Sequence, residues 1–118
     1  MTIINSVLIA NRGEIAIRIS KTLNEMGIKA YGIYSKDDSS SAHLSYCSEV
    51  FELNGTGPSA YLNIDEIISL AKSKKIKAVH PGYGFLSENH AFAASCAKND
   101  IIFIGPNEKT LKNFGNKE

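Results

Sequence analysis

The chain has 118 residues, enough to bury one core without staples, so a single domain spanning 1–118 is the simplest organisation. Thirteen basic against 12 acidic residues leave a formal net charge of +1, and that field supplies no reason for nucleic acid or an anionic membrane as partner. Two cysteines, Cys47 and Cys96, stand in neither a Cys-x-x-Cys nor a histidine-spaced metal pattern and read as small buried apolar groups in a reducing compartment.

The start Met1-Thr2-Ile3-Ile4-Asn5 lacks a basic region followed by a long apolar stretch, and no apolar run approaches a membrane span. The chain therefore reads as cytoplasmic, or as mitochondrial if a targeting segment has been removed. Val7 to Ala10 is a continuous apolar run, which suits a central parallel strand covered on both faces. Ile15, Ile19, Leu23 and Met26 then recur at helical spacing, with Arg18, Lys21 and Glu25 on another face, and Gly27 supplies the C-terminal cap. The apolar stripe is expected on the sheet and the charged face in water or against a partner.

Ala30 to Tyr34 is the second predicted strand, and the polar loop 35–41 after it holds Asp37 and Asp38, read as solvated acids. His43 to Cys47 is expected to form a helical turn, with His43 a hydrogen-bonded structural group. A third strand runs from Val50 to Leu53, and 54–59 is a loop by composition. Asn63 caps a helix over Ile64 to Ser73, with Glu66 three residues on and Leu62 placed to pack on Ile67. Its buried face is Ile64, Ile67, Ile68 and Ala71, while the lysines at 72, 74, 75 and 77 complement the dipole at its end.

Ile76 to Val79 is the fourth strand, stopped by Pro81. Ser87 or Asn89 caps a third helix carrying Phe92 and Cys96 on one face with Ala93 and Ala97 beside them. Ile101 to Ile104 is the fifth strand, and a short last helix with Leu111 and Phe114 ends at Gly115. Strands alternating with helices at this spacing predict an α/β fold: an open, mostly parallel five-stranded sheet of Rossmann-like type, with right-handed crossovers and helices on both faces.

Such sheets bind ligands outside the carboxyl ends of their strands. That rule gathers the turn Asn11-Arg12-Gly13, the Asp37-Asp38 loop, the loop Gly82-Tyr83-Gly84 and the turn Gly105-Pro106 along one functional edge, with Glu88 placed to face it and Glu14 in the first turn of a helix where an acid suits the dipole. The two glycines permit close backbone approach, and Tyr83 between them is free for a ligand or a neighbouring domain unless it folds back on the core. The turn Asn11-Arg12-Gly13-Glu14 is not the Gly-x-Gly-x-x-Gly of a dinucleotide site, and there is no P-loop, nucleophile elbow or zinc motif. No catalytic group and no metal site is assigned on these grounds.

Four motifs occur in order: VLIANRGEIAIRI at 7–19, YLNIDEII at 61–68, HPGYGFLSEN at 80–89 and FIGP at 103–106. Together they resemble the N-terminal, pre-ATP-grasp domain of biotin carboxylase, the ATP-grasp component of acetyl-CoA, propionyl-CoA, pyruvate and urea carboxylases. The resemblance implies a parent ligase that uses ATP, Mg2+ and bicarbonate to carboxylate biotin on a carrier protein. It places the metal-binding acids and catalytic base in an ATP-grasp domain C-terminal to this one. The end Gly115-Asn116-Lys117-Glu118 looks like the junction with that domain, so this chain alone is expected to be inactive and to hold no cofactor.

Carried over by position, the resemblance sets Gly82, Tyr83 and Gly84 beside biotin. It sets Arg18, Lys21 and Glu25 in a homodimer contact of the full enzyme. Lys21 stands where arginine is more usual, which keeps the charge and loses the bidentate fork. Cys47-Ser48-Glu49 replaces the family's Ala-Asp-Glu, and the loop 54–60 looks about one residue short. Partners implied are the downstream ATP-grasp domain, the biotin carboxyl carrier protein and a second subunit. Read without the resemblance, the same α/β domain also suits a stand-alone nucleotide-binding or subunit-contact module without ligase activity.

Overall fold

A computed structural model describes residues 4–105. Five strands, β1 (Ser6–Ile9), β2 (Lys29–Tyr34), β3 (Glu49–Glu52), β4 (Ala78–His80) and β5 (Ile102–Phe103), form one sheet in the order β3-β2-β1-β4-β5. Every pairing is parallel, so the expected mostly parallel sheet is parallel throughout. The predicted last helix with Leu111 and Phe114, and Pro106 of the turn before it, lie outside the described residues.

Alternation along β1 decides which helix covers which face, because successive side chains point to opposite sides of a sheet. Leu8 and Ala10 join Ile33 and Val79 in one cluster with Ile67, Ala71, Phe92 and Cys96, so helices α2 (Ile64–Ser73) and α3 (His90–Lys98) cover that face. Val7 and Ile9 join Ala30 and Ala78 against Ala16 and Leu23 of α1 (Gly13–Glu25), which covers the other. Helices therefore lie on both faces, as the periodicity implies.

The buried line of α1 differs from the predicted one. Ala16, Ser20 and Leu23 are buried, Ile15 and Ile19 only partly so, and Met26 is 65% exposed. Small side chains at 16 and 20 let the helix sit close to the sheet, and Ser20 satisfies its hydroxyl by donating to the Ala16 carbonyl at 2.8 Å. Gly27 closes the helix as expected: with φ +75°, it donates to Asn24 O at 3.1 Å while Ile28 N–H donates to Leu23 O at 2.9 Å.

Helix α2 has the predicted bounds, and Asn63 caps it by accepting from Glu66 N–H at 3.1 Å. The Glu66 carboxylate does not complete a capping box; it accepts from Asn54 N–H at 2.8 Å, and Leu62 is exposed instead of stapled. Asn89, not Ser87, caps α3, accepting from Phe92 N–H at 3.0 Å, and Ala97 on that helix is exposed. The stretch read as loop before α2 contains a 3-10 turn, Pro58–Leu62, that buries Ala60 and Tyr61.

Candidate functional site

The strand order reverses between β1 and β4, because the chain builds outward to β3 and then crosses back. Loops leaving β1 and β4 diverge there, and a crevice forms at their carboxyl ends. The ladder continues one step past the strands, with Ala10 N–H donating to His80 O at 2.9 Å. Asn11 follows directly and fills the crevice with its own side chain. Its Nδ2 donates to Pro81 O and to Tyr83 O, both at 2.7 Å, and its Oδ1 accepts from Arg12 N–H at 2.8 Å. Only 1% exposed, Asn11 lies on the expected edge as a buried strut between its two loops.

The loop that Asn11 holds has a costly backbone. Gly82, Gly84 and Phe85 take φ of +67°, +71° and +48°, the left-handed region in which a side chain is penalised by roughly 1–2 kcal/mol. A Cβ on Gly82 would come within 2.7 Å of Asn11 Nδ2 and 2.8 Å of Ile15 Cγ2, whereas one on Gly84 would meet nothing within 4 Å. Thus the loop is packed inward at 82 and open at 84. Tyr83 does not fold back on the core; its side chain stands in water, 78% exposed.

A trans peptide points its N–H opposite its C=O, so tying the carbonyls of Pro81 and Tyr83 to Asn11 turns the amides of Gly82 and Gly84 away from it. Gly82 N–H then donates to His80 Nδ1 at 3.1 Å, which leaves the proton of the neutral His80 ring on Nε2. Burial holds the His80 pKa below its ordinary value. The Gly84 amide and the Tyr83 ring are left as the outward groups of the loop.

Arg12, beside Asn11, has a different job. Its Nε donates to Asp38 Oδ2 at 2.7 Å and its Nη2 to Asp38 Oδ1 at 3.0 Å, a two-pronged pair joining the end of β1 to the loop after β2. Tyr61 donates its hydroxyl to Asp38 Oδ2 at 2.9 Å and accepts from Ser35 N–H at 3.1 Å. Asp37 Oδ1 accepts from Gly57 N–H at 3.0 Å and from Ser35 Oγ at 2.7 Å. The two loop acids are therefore bound into the structure and not simply solvated, since loops after β1, β2 and β3 converge on them. The Arg12 guanidinium holds Asp38 below the usual carboxylate range, and the Gly57 amide does the same for Asp37.

Tyr61 opens the motif at 61–68, but motif reading gives it no place on the functional edge; its ring packs at a tilt on Phe85 with centroids 5.4 Å apart, tying this network to the glycine loop. A tyrosine between Ala60 and Leu62 in a stretch otherwise polar was the available signal.

Gly13 opens α1 at φ +66° with open space around it, and Glu14 and Glu88 are exposed. Arg18, Lys21 and Glu25 lie along one exposed side of α1, with Lys21 Nζ 5.4 Å from the centre of the Tyr46 ring. An apolar groove of about 550 Å³ beside α1 is lined by Ile15, Ile19 and Met26 together with Arg18, His80 and Tyr83. The structure thus brings Tyr83 and Arg18 to one groove, whereas Lys21 and Glu25 are not among its walls.

No cluster of three or more His, Cys, Asp or Glu side chains among the described residues is arranged to hold a metal ion. The acids that are near one another, Asp37 and Asp38, are already engaged by Arg12, Tyr61, Ser35 and Gly57, so the edge does not fit Mg2+. What it offers chemically is a rigid backbone loop with an outward amide and an outward aromatic ring.

The chain is 50% identical over 117 residues to the pyruvate carboxylase of Bacillus subtilis (strain 168), covering 97% of this chain and 10% of that protein. The solved biotin carboxylase subunit of a pyruvate carboxylase superposes with a TM-score of 0.94 at 42% identity, over 98% of this chain and 26% of that one. The biotin carboxylase domain of Hydrogenobacter thermophilus 2-oxoglutarate carboxylase, solved as a dimer with ADP, its magnesium salt and bicarbonate, superposes with a TM-score of 0.91 at 38% identity, over 95% and 25%. The chain therefore spans about a quarter or less of these relatives. Residues 3–111 match the model of the biotin carboxylase N-terminal domain, and with the parallel sheet and the loop at its switch point in agreement, the chain belongs to that family.

Proposed function

We propose that this domain works within an ATP-dependent ligase that carboxylates carrier-bound biotin with bicarbonate, and that its part is to present the Gly82-Tyr83-Gly84 loop to the biotin ring system. The observation that carries this reading is the loop itself. Its backbone is held in a left-handed course at the strand-order reversal, and its amide at 84 and its ring at 83 face outward. A fused, mostly apolar bicycle with a polar ureido edge suits an aromatic ring beside an amide donor that has no partner among the described residues.

ATP and Mg2+ belong in this reading to a downstream ATP-grasp domain, which supplies the phosphate cradle and metal acids that the described edge lacks. The biotin carboxyl carrier protein delivers the substrate, and Arg18, Lys21 and Glu25 contribute to a two-fold contact between subunits, as charges on one exposed helix side support. A cytoplasmic location, or a mitochondrial one after loss of a leader, is compatible with each of these roles.

The test is to express the complete reading frame and measure ADP release against bicarbonate and free biotin. Turnover that needs both is expected, and the 118-residue chain by itself should show none. Tyr83→Ala and Gly84→Val in the complete protein should then lower biotin-dependent turnover with little change in Tm, because a rim loop carries little core burial. Normal turnover in both variants would leave the loop without a part in substrate binding.

A further inference from the structure

We infer that Asn11 is a positioning residue for biotin: without reaching the substrate, it sets the direction of the loop groups that do. This rests on the biotin reading of the Gly82-Tyr83-Gly84 loop and adds to it the residue that makes the loop competent.

The argument begins with the number of bonds made by one side chain. A primary amide has two N–H donors and a carbonyl acceptor, and Asn11 uses all three functions within 2.8 Å. Its orientation is forced, since turning the amide over would set Oδ1 against the carbonyl oxygens of Pro81 and Tyr83. Two peptide planes two residues apart are thereby fixed from one point, and the amide of Gly84 is aimed outward as a consequence. The site is nearly water-free, so a lost bond is not replaced cheaply by solvent.

Residue type follows from the same geometry. Aspartate has the right shape but, ionised, puts negative charge on two carbonyl oxygens; protonated, it can donate to one of them. Alanine removes the strut and leaves two buried carbonyls unpaired. Gly82 is needed because the Asn11 amide stands 2.7 Å from where a Cβ would lie, so strut and glycine form one fitted pair.

The experiment uses the full-length carboxylase carrying this domain, with Asn11→Ala, Asn11→Asp and, as a reference for the loop, Gly84→Val. KM for free biotin, KM for ATP, kcat and Tm are measured for each. The two Asn11 variants are expected to raise KM for biotin by about tenfold or more, the scale of one or two lost hydrogen bonds, with KM for ATP unmoved. The Asn11→Asp defect, taken as a ratio to wild type, should deepen as pH rises and the carboxyl ionises. A purely structural residue would instead lose Tm and raise KM for ATP in step with KM for biotin over the same pH range.

Normal biotin KM in the Asn11 variants beside an impaired Gly84→Val would overturn the inference and leave the loop's role standing. Harmless substitutions at both places would remove the loop from the site altogether, and the inference with it. Losses in biotin KM, ATP KM and Tm that move together would make Asn11 a folding residue, which also overturns it.

Discussion

The Tyr61 hydroxyl donates to Asp38 Oδ2 at 2.9 Å from a ring that is itself buried, so a residue from the turn before α2 completes the ion pair between Arg12 and Asp38. The phenol oxygen also accepts from Ser35 N–H, and burial pushes the phenol's pKa up, which keeps it a donor at neutral pH. Tyr61→Phe should cost about 1–3 kcal/mol, because the Ser35 amide is left buried without its acceptor. Arg12→Lys should cost about 1 kcal/mol or less, since nearly half of the guanidinium side chain is in water. Urea midpoints of the two variants would check the order; a larger loss for Arg12→Lys would place the weight of the network on the ion pair.

The glycine loop makes an asymmetric prediction. Gly84→Ala carries only the left-handed backbone penalty, about 1–2 kcal/mol, because its Cβ would meet nothing. Gly82→Ala adds displacement of Asn11 and Ile15, and should cost about 3 kcal/mol or more. Equal losses in thermal unfolding would show that the packing beneath Gly82 yields freely.

Stability should fall on the acid side in two stages. His43 is fully buried, with Nδ1 and Nε2 engaged by Ser41 Oγ at 2.9 Å and Ile33 O at 3.0 Å, and burial lowers its pKa. Below the unfolded value of about 6.5 the unfolded chain takes up a proton that the fold does not, so stability drops as pH falls towards the lowered folded pKa. Asp37 and Asp38, lowered in the fold, act further down: their contribution is present above an unfolded value of about 3.9 and is lost as pH falls through the folded ones. Proton linkage sets the scale at roughly 1.4 kcal/mol per proton and pH unit, and urea midpoints between about pH 8 and pH 5 should slope less in His43→Gln than in wild type. An unchanged slope would assign the acid sensitivity elsewhere, His80 being the next group of the same sign.

Gly32 and Cys47 should prove coupled. A Cβ at position 32, in the middle of the sheet, would come within 2.8 Å of Cys47 Sγ but no closer than 3.6 Å to its Cβ. Gly32→Ala is expected to destabilise by about 1–3 kcal/mol alone and by less in a Cys47→Ala background, where the sulfur is gone. Strict additivity in the double-mutant cycle would mean that the thiol swings aside. Cys96, buried and pushed up to about 12, should stay unreactive to iodoacetamide in the folded chain while Cys47 reacts slowly.

Charge reversal on α1 tests the proposed subunit contact. Lys21→Glu and Glu25→Lys, made separately in the complete enzyme, should each weaken dimers by bringing like charges together across a two-fold axis. Both side chains are exposed in this domain, so Tm of the 118-residue chain should hardly change. Sedimentation showing unaltered dimers for both variants would return this side of α1 to solvent.

Most of the secondary structure was legible from residue order. The apolar runs located all five strands to within about two residues, the ordinary uncertainty of element ends. Asn63 and Gly27 marked helix ends correctly because capping is a contact between near neighbours in the chain. The motif at 80–89 was also readable as a loop at a strand's end, since a proline and two glycines rarely continue a strand.

What the order of residues left open was every relationship that depends on two crossovers bringing distant loops to one edge. The strand-end rule places Asn11 on the functional edge, but its burial and its role as a strut come only from Pro81 and Tyr83, 70 and 72 positions away. Asp38 looked solvated until Arg12 and Tyr61 arrived from 26 and 23 positions away. Met26 fitted the helical stripe, yet the stripe's direction was chosen by how closely Ala16 and Ser20 let the helix approach the sheet. Periodicity and capping are local and survive in the sequence; burial and hydrogen-bond partners at a sheet's carboxyl edge are set by the parallel crossovers, and only the assembled fold decides them.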